Sequence, residues 1–221
     1  MKKVNNMKSV MSHDFSRAPS INAPRSSFDR SFGHKTTFDA GLLIPFYVDD
    51  VIPGDTFNLN STIFARLNTP AFPVMDNMYL DTHFFFVPTR LIWDNARKFY
   101  GEQQDPGDSI DYTIPTMNFG AVPEGSVGDY FGLPAGESIG PGKVSALYHR
   151  AYKLIWNEWF RDQNLQDSLT INKTDTADSD LTMMPLRRGK RHDYFTSCLP
   201  WPQKVMRLIF LLVLLLLSTP I

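Results

Sequence analysis

Four cations crowd into five positions late in the chain. Arg187, Arg188, Lys190 and Arg191 surround Gly189, and the run continues through Tyr194, Phe195, Cys198, Pro200, Trp201 and Pro202 to Lys204. Like charges this close repel, so the stretch needs solvent, an acidic partner or phosphate beside it. Gly189 lets the backbone turn between the cations. Tyr194, Phe195 and Trp201 favour burial next to that charge. Pro200 and Pro202 hold φ near the extended range and remove two ladder donors. On its own the stretch reads as a solvated loop leading into a core strand, or as a contact for an acidic partner.

The rest of the chain narrows the choice. Its 221 residues suffice for one sizeable domain, and 43% hydrophobic content with 17 Phe and 8 Tyr argues for a packed core rather than disorder. The 16 Pro and 13 Gly imply many turns and long loops. A net charge of −1 gives the whole molecule no strong pull on nucleic acid or membrane, so any such preference is local. Cys198 is the single cysteine, which excludes an intramolecular disulfide and agrees with a reducing compartment. No secretory pattern follows Met1-Lys2-Lys3, and Met1, Met7 and Met11 are all possible starts.

Residues 1–37 read as a basic extended arm. They carry Lys2, Lys3, Lys8, Arg17, Arg25, Arg30 and Lys35 against Asp14 and Asp29, with few apolar residues and no period. Such an arm is either an unstructured terminus or a strap that meets a neighbouring subunit or phosphate. Residues 42–48 form an apolar run of strand length, interrupted by Pro45, and Pro53-Gly54 marks a turn. Phe57, Leu59, Ser61, Ile63, Ala65 and Leu67 then alternate with a mostly polar set, the period of a half-buried strand. Residues 79–87 are strand-like, and Phe84-Phe85-Phe86 implies burial on both faces.

A short helix is expected over 91–100, and a long Gly/Pro-rich insertion over 101–142, with one helical turn at 129–134. The clearest helix lies at 143–161. Tyr148, Tyr152, Ile155 and Trp159 make its apolar stripe, widened by Val144, Ala151 and Phe160, while Lys143, His149, Arg150, Lys153, Asn157 and Arg161 fall on the polar side. Residues 164–180 read as an acidic surface loop. Asp175, Asp178 and Asp180 there lack the glycine and terminal glutamate of a calcium loop. Residues 205–217 are apolar apart from Arg207, yet shorter than the roughly 20 residues of a membrane helix.

Catalytic signatures are missing from the sequence. No GxSxG, HExxH, CxxC or phosphate-cradling glycine loop occurs. His13, His34, His83, His149 and His192 are scattered, and His83 within its aromatic run reads as structural. His192 beside Asp193 has no serine at a nucleophile elbow, and Cys198 reads as a structural thiol. The expectation is a non-enzyme with no cofactor and no metal.

Several blocks, in order, resemble the major capsid proteins of small single-stranded DNA bacteriophages, the Microviridae, in particular the gokushovirus branch. They are residues 15–19 and 25–31 of the arm, 43–55, 78–93, the helical block 151–164, and the stretch 186–204. The resemblance runs from about Ser12 to Lys204. It implies a mainly β fold, the viral jelly roll, an eight-stranded antiparallel barrel with long loop and helix insertions. That barrel would be incomplete here, because the family's proteins extend well beyond this C-terminus. Residues 38–204 would be the partial capsid domain. The implied function is structural: copies self-assemble into a small icosahedral virion shell around circular single-stranded DNA, inside the host bacterial cytoplasm. The implied partners are further copies, the DNA and other virion proteins, with no membrane. Arg187, Arg188, Lys190, Arg191, Arg17, Arg25 and Arg30 are the candidate DNA or intersubunit contacts.

Two other readings stay open: a β-domain tethered to a membrane by the Leu-rich tail, and a nucleic-acid-binding module using the basic arm. The tail itself suggests a third point. After Pro-Trp-Pro-Gln-Lys the family commonly continues Gly-Asp-Ala-Val-Asn-Ile. A one-base shift in a coding of that hexapeptide gives Val-Met-Arg-Leu-Ile-Phe, the residues at 205–210. Residues 205–221 are therefore expected to be out-of-frame translation. Reading all three frames of the coding DNA past Lys204 tests this, and the idea fails if no other frame continues a capsid-like sequence.

Overall fold

The computed structural model describes residues 24–108, 110–118, 120–140, 142–179 and 183–196. The apolar tail, Cys198, Trp201, Asp180 and Arg17 lie outside them. The chain divides into two units, Met1–Lys35 and Thr36–Ile221. In the first, residues 24–35 are exposed and form no helix or strand.

Among its described residues the second unit has a 3-10 turn at Thr89–Leu91 and three helices, α1 (Ala96–Phe99), α2 (Val127–Tyr130) and α3 (Leu147–Ile155), the last running into a π-helical turn at Trp156–Phe160. The helix expected over 91–100 is thus split. Ile92 and Trp93 turn inward and are buried, and Asp94 donates its backbone N–H to the Lys173 carbonyl at 2.9 Å instead of continuing a helix.

The turn foreseen at 129–134 is α2, displaced slightly toward the N-terminus. Ser126 caps it, accepting from Asp129 N at 3.3 Å, while the Asp129 carboxylate reaches back to Gly125 N at 2.8 Å. Gly132, at φ 92°, ends it. Gly132 N donates to Asp129 O and Leu133 N to Gly128 O, the paired bonds of a left-handed helix terminus that a side chain would strain.

Part of the expected insertion builds the core. Met117, Val122 and Ala146 are fully buried, with Leu133, Ile139 and Val144 packed on them and Pro115 and Val127 buried nearby. Single antiparallel bridges, Thr116 to Ser145 and Ala121 to Ser138, and a parallel one from Val122 to Ala135 fold this stretch back on itself. The pairing of Ser145 with Thr116 also delays α3, which starts at Leu147 rather than at 143.

The polar side of α3 is buried, contrary to expectation. His149, Arg150, Lys153 and Asn157 are nearly inaccessible, whereas Trp159 of the expected apolar stripe is 72% exposed. Neighbouring loops supply Arg150 and Asn157 with partners. Arg150 donates Nε and Nη2 to the Asp178 carboxylate, Nη1 to Ile92 O and Thr174 O, and Nη2 also to Thr176 O. Asn157 exchanges side-chain amide bonds with the Leu169 backbone at 2.8 and 2.9 Å. The acidic stretch 164–180 is therefore not simply a surface loop. Asp178 is buried, and Asp175 accepts from Trp93 Nε1, Asn95 Nδ2 and Thr113 N. Burial opposes ionisation of Asp175, but those hydrogen bonds and the nearby Arg150 charge prevail and hold it below the usual carboxylate range.

The expected strands at 42–48, 56–67 and 79–87 are extended but form no ladder. Among the described residues only isolated bridges occur, Leu42 pairing with Arg187 across the first of these segments. Residues 42–47 are half-buried, while the apolar side chains of 56–67 and most of those of 79–87 stay accessible. Phe64 is 90% and Phe86 74% exposed, so the Phe84-Phe85-Phe86 run is not covered on both faces. Extended segments gain ladder bonds and burial only against a partner sheet, and none is formed here. No helix among the described residues is long and apolar enough to cross a membrane.

Candidate nucleic-acid and subunit-contact surface

The basic stretch is fastened to α3 through its backbone. Tyr152 donates its hydroxyl proton to Leu43 O at 2.9 Å and accepts from Leu186 N at 2.9 Å, while Leu43 N donates to Leu186 O at 2.9 Å. Trp156 Nε1 donates to Arg187 O, and Arg188 N donates to Gly41 O, each at 2.9 Å. Burial pushes the Tyr152 phenol up to about 12, partly countered by the bond from Leu186 N.

Gly189 fits for lack of space rather than for a turn. Its N–H donates to Phe160 O at 2.7 Å, and a Cβ there would lie 2.9 Å from Phe160 O and 3.2 Å from Asp162 N. Both obstacles are backbone atoms that cannot swing aside.

The four cations differ in their surroundings. Arg187 reaches Ala40 O at 3.4 Å. Arg188 places Nη1 3.3 Å from Asp81 Oδ2 and its guanidinium 5.5 Å from the centre of the Phe160 ring. Arg191 pairs with the same Asp81 oxygen. Lys190 is exposed, and its charge helps to keep Asp193 ionised. Asp81 and Asp193 face four cations, so the segment remains net positive. Asp81 was not singled out from sequence, because its arginines lie 107 and 110 residues away and no local pattern links them.

Past the cations the chain makes a tight polar turn. Asp193 Oδ1 accepts from Phe195 N, Thr196 N and Thr196 Oγ1, and Asp193 N donates to Thr196 Oγ1. These bonds, the Thr196 hydroxyl first, hold the Asp193 carboxyl below its usual range. Tyr194 and Phe195 sit on this turn edge to face, 5.4 Å apart, and are 88% and 85% exposed. The burial expected for them is not found, because the turn points both rings away from the core.

Arg187, Arg188, Lys190 and Arg191 are thus brought together. Arg25 and Arg30 are exposed in the first unit. Among the described residues no three His, Cys, Asp or Glu stand close enough to hold a metal ion. The site offers positive charge, exposed rings and a rigid backbone, which suit contact with other macromolecules and define a structural, contact-making protein.

The comparisons give the particular kind. Residues 16–209 match the family described as Capsid protein (F protein), and the chain belongs to that phage capsid family. It is 48% identical over 196 residues to the capsid protein VP1 of Bdellovibrio phage phiMH2K, covering 88% of this chain and 36% of that protein. It is 43% identical over 230 residues to capsid protein VP1 of Chlamydia phage 1, covering 92% of this chain and 38% of the other. Capsid protein VP1 of Spiroplasma virus 4 is 36% identical over 222 residues, covering 92% and 39%. The chain therefore spans between 36% and 39% of the length of these relatives. A capsid family is a structural one.

Proposed function

We propose that the chain is a shell-building segment of a phage major capsid protein, which self-assembles into a small icosahedral virion around circular single-stranded DNA. The family match over residues 16–209 carries this reading. The extended, unladdered segments at 42–87 support a jelly roll whose ladder is completed by further strands. Their exposed aromatic side chains supply apolar area for such packing or for contacts between copies. Arg187, Arg188, Lys190 and Arg191, with Arg17, Arg25 and Arg30 of the arm, offset DNA phosphate charge or meet a neighbouring subunit. Assembly takes place in the host bacterial cytoplasm, and other virion proteins join the shell.

The test is protein mass spectrometry of particles purified from an infected host that carries this coding sequence. Peptides from residues 24–196 should come from the most abundant particle protein. Their absence, or a trace level beside another major protein, would overturn the shell assignment.

A further inference from the structure

We propose that Tyr194 and Phe195 form a base-stacking seat for single-stranded nucleic acid, with Lys190 and Arg191 taking the flanking phosphates. This deepens the shell reading and rests on it, since the packaged strand supplies the ligand.

Three observations converge. First, the rings are presented rather than merely uncovered. Asp193 and Thr196 lock the turn through four hydrogen bonds of 2.7 to 3.0 Å, and His192 Nδ1 lies 3.0 Å from Thr196 O. A rigid platform loses little conformational freedom when it is covered. Second, the rings meet edge to face with planes 89° apart, so neither stacks on the other, and each is more than four-fifths exposed. An unpaired base can lie on such a face, whereas a base inside a duplex cannot leave its stack without cost. Third, the flank is charged in the sense that a nucleic acid requires. Lys190 and Arg191 precede the rings directly, and the 187–193 segment with Asp81 holds four cations against two carboxylates. Aromatic rings beside a positive track are the composition by which proteins hold single strands without reading sequence. An apolar subunit contact would explain the rings but would leave the excess charge buried and uncompensated.

Asp81 has a part in this arrangement. Its carboxylate holds Arg188 and Arg191 where an anion already sits between them. A phosphate oxygen can replace that carboxylate without rebuilding the donors.

The experiment compares two fluorescein-labelled oligonucleotides of equal length, an oligothymidylate and its abasic counterpart, by anisotropy against the full chain at several salt concentrations. The unsubstituted chain should favour the base-bearing strand by about tenfold or more. Tyr194→Ala with Phe195→Ala should erase that preference and keep the salt slope. Lys190→Gln with Arg191→Gln should keep the preference and flatten the slope by roughly 1.4, for two phosphates on a single strand. Tyr194→Phe with Phe195→Tyr, which retains both rings, should behave as the unsubstituted chain. Equal binding of both oligonucleotides by the unsubstituted chain overturns stacking and leaves the charge contact standing. Binding of neither overturns the DNA-facing reading of this stretch as well. If the double alanine variant loses self-association in sedimentation but keeps the base preference, the rings are a subunit contact and the proposal is wrong.

Discussion

Arg150 grips Asp178 with two parallel bonds, Nε to Oδ2 at 2.8 Å and Nη2 to Oδ1 at 2.9 Å, and spends its three other N–H donors on the carbonyls of Ile92, Thr174 and Thr176. Every donor of a buried guanidinium is therefore met, which a cation out of water requires. The pair joins α3 to two loops that share no sequence neighbourhood with it. Asp178→Asn leaves the charge buried beside a neutral amide and should cost about 3–5 kcal/mol. Urea unfolding followed by emission of the buried Trp93 and Trp156 measures it. Arg150→Lys should fare no better, because an ammonium cannot span the same fork. A loss below about 1 kcal/mol for either variant would show that the pair does not hold the fold.

Tyr152 makes stability sensitive to alkali. Its phenol rises from 10.0 to about 12 on folding, so between those values the folded chain holds a proton that the unfolded chain has released. Stability is then complete below pH 10 and falls as pH rises toward 12, by on the order of 2–3 kcal/mol. Tyr152→Phe should remove this slope and lower stability at neutral pH, because Leu43 O and Leu186 N lose their shared partner. Chemical denaturation at stepped pH values reads both effects. An unchanged alkaline slope in the variant would assign the effect to another group.

Acid acts through Asp175. Its carboxyl is held below the usual carboxylate range, so it contributes stability above that range, and the contribution disappears as pH falls through its folded pKa. Asp175→Asn should flatten the acid limb of the stability curve. An acid limb identical in the two proteins would remove Asp175 from the account.

Gly189→Ala should destabilise by about 1–3 kcal/mol, since its Cβ meets backbone atoms of Phe160 and Asp162. Gly132→Ala is a contrast. No atom lies within 4 Å of its Cβ, and its cost comes from φ 92° alone. Thermal unfolding of the two variants should show both losses. If Gly189→Ala is neutral, the close approach described here is not maintained in solution.

The uncovered segments at 42–87 predict the behaviour of the chain by itself. It should bind a hydrophobic dye strongly and associate without closing into particles, as sedimentation and electron microscopy would show. Closed shells from this chain alone would contradict that expectation.

Local signals in the sequence were read well. A helical turn is expected over 129–134, and α2 lies at Val127–Tyr130, two residues earlier at its start and four at its end, because Ser126 caps it and Gly132 stops it. The long helix was legible too, but its facing was not. The expected stripe included both Trp159 and Phe160; the π-helical turn at Trp156–Phe160 adds a residue, so Phe160 is buried while Trp159 is turned out. Arg150 and Asn157 look like solvent groups until distant loops supply their partners, and nothing near them in sequence names those loops. In the contact surface, the four cations were visible as a run. The carboxylate that two of them share was not, and neither was the outward turn of Tyr194 and Phe195, which depends on the Asp193–Thr196 bonds.

The clasp around Tyr152 also sets a timetable. Arg187 meets Ala40 across 147 residues, and Leu43 waits for Leu186 before its N–H has a partner. At about 5–20 residues per second, a ribosome needs roughly 7–30 s to make the intervening chain. Over that interval the first half of the clasp has been made and its counterpart does not yet exist. The aromatic segment that follows residue 43 spends the same interval with no closing strand to dock on. Nascent chains of this protein are thus most exposed to wrong pairings before Gly189 has been added.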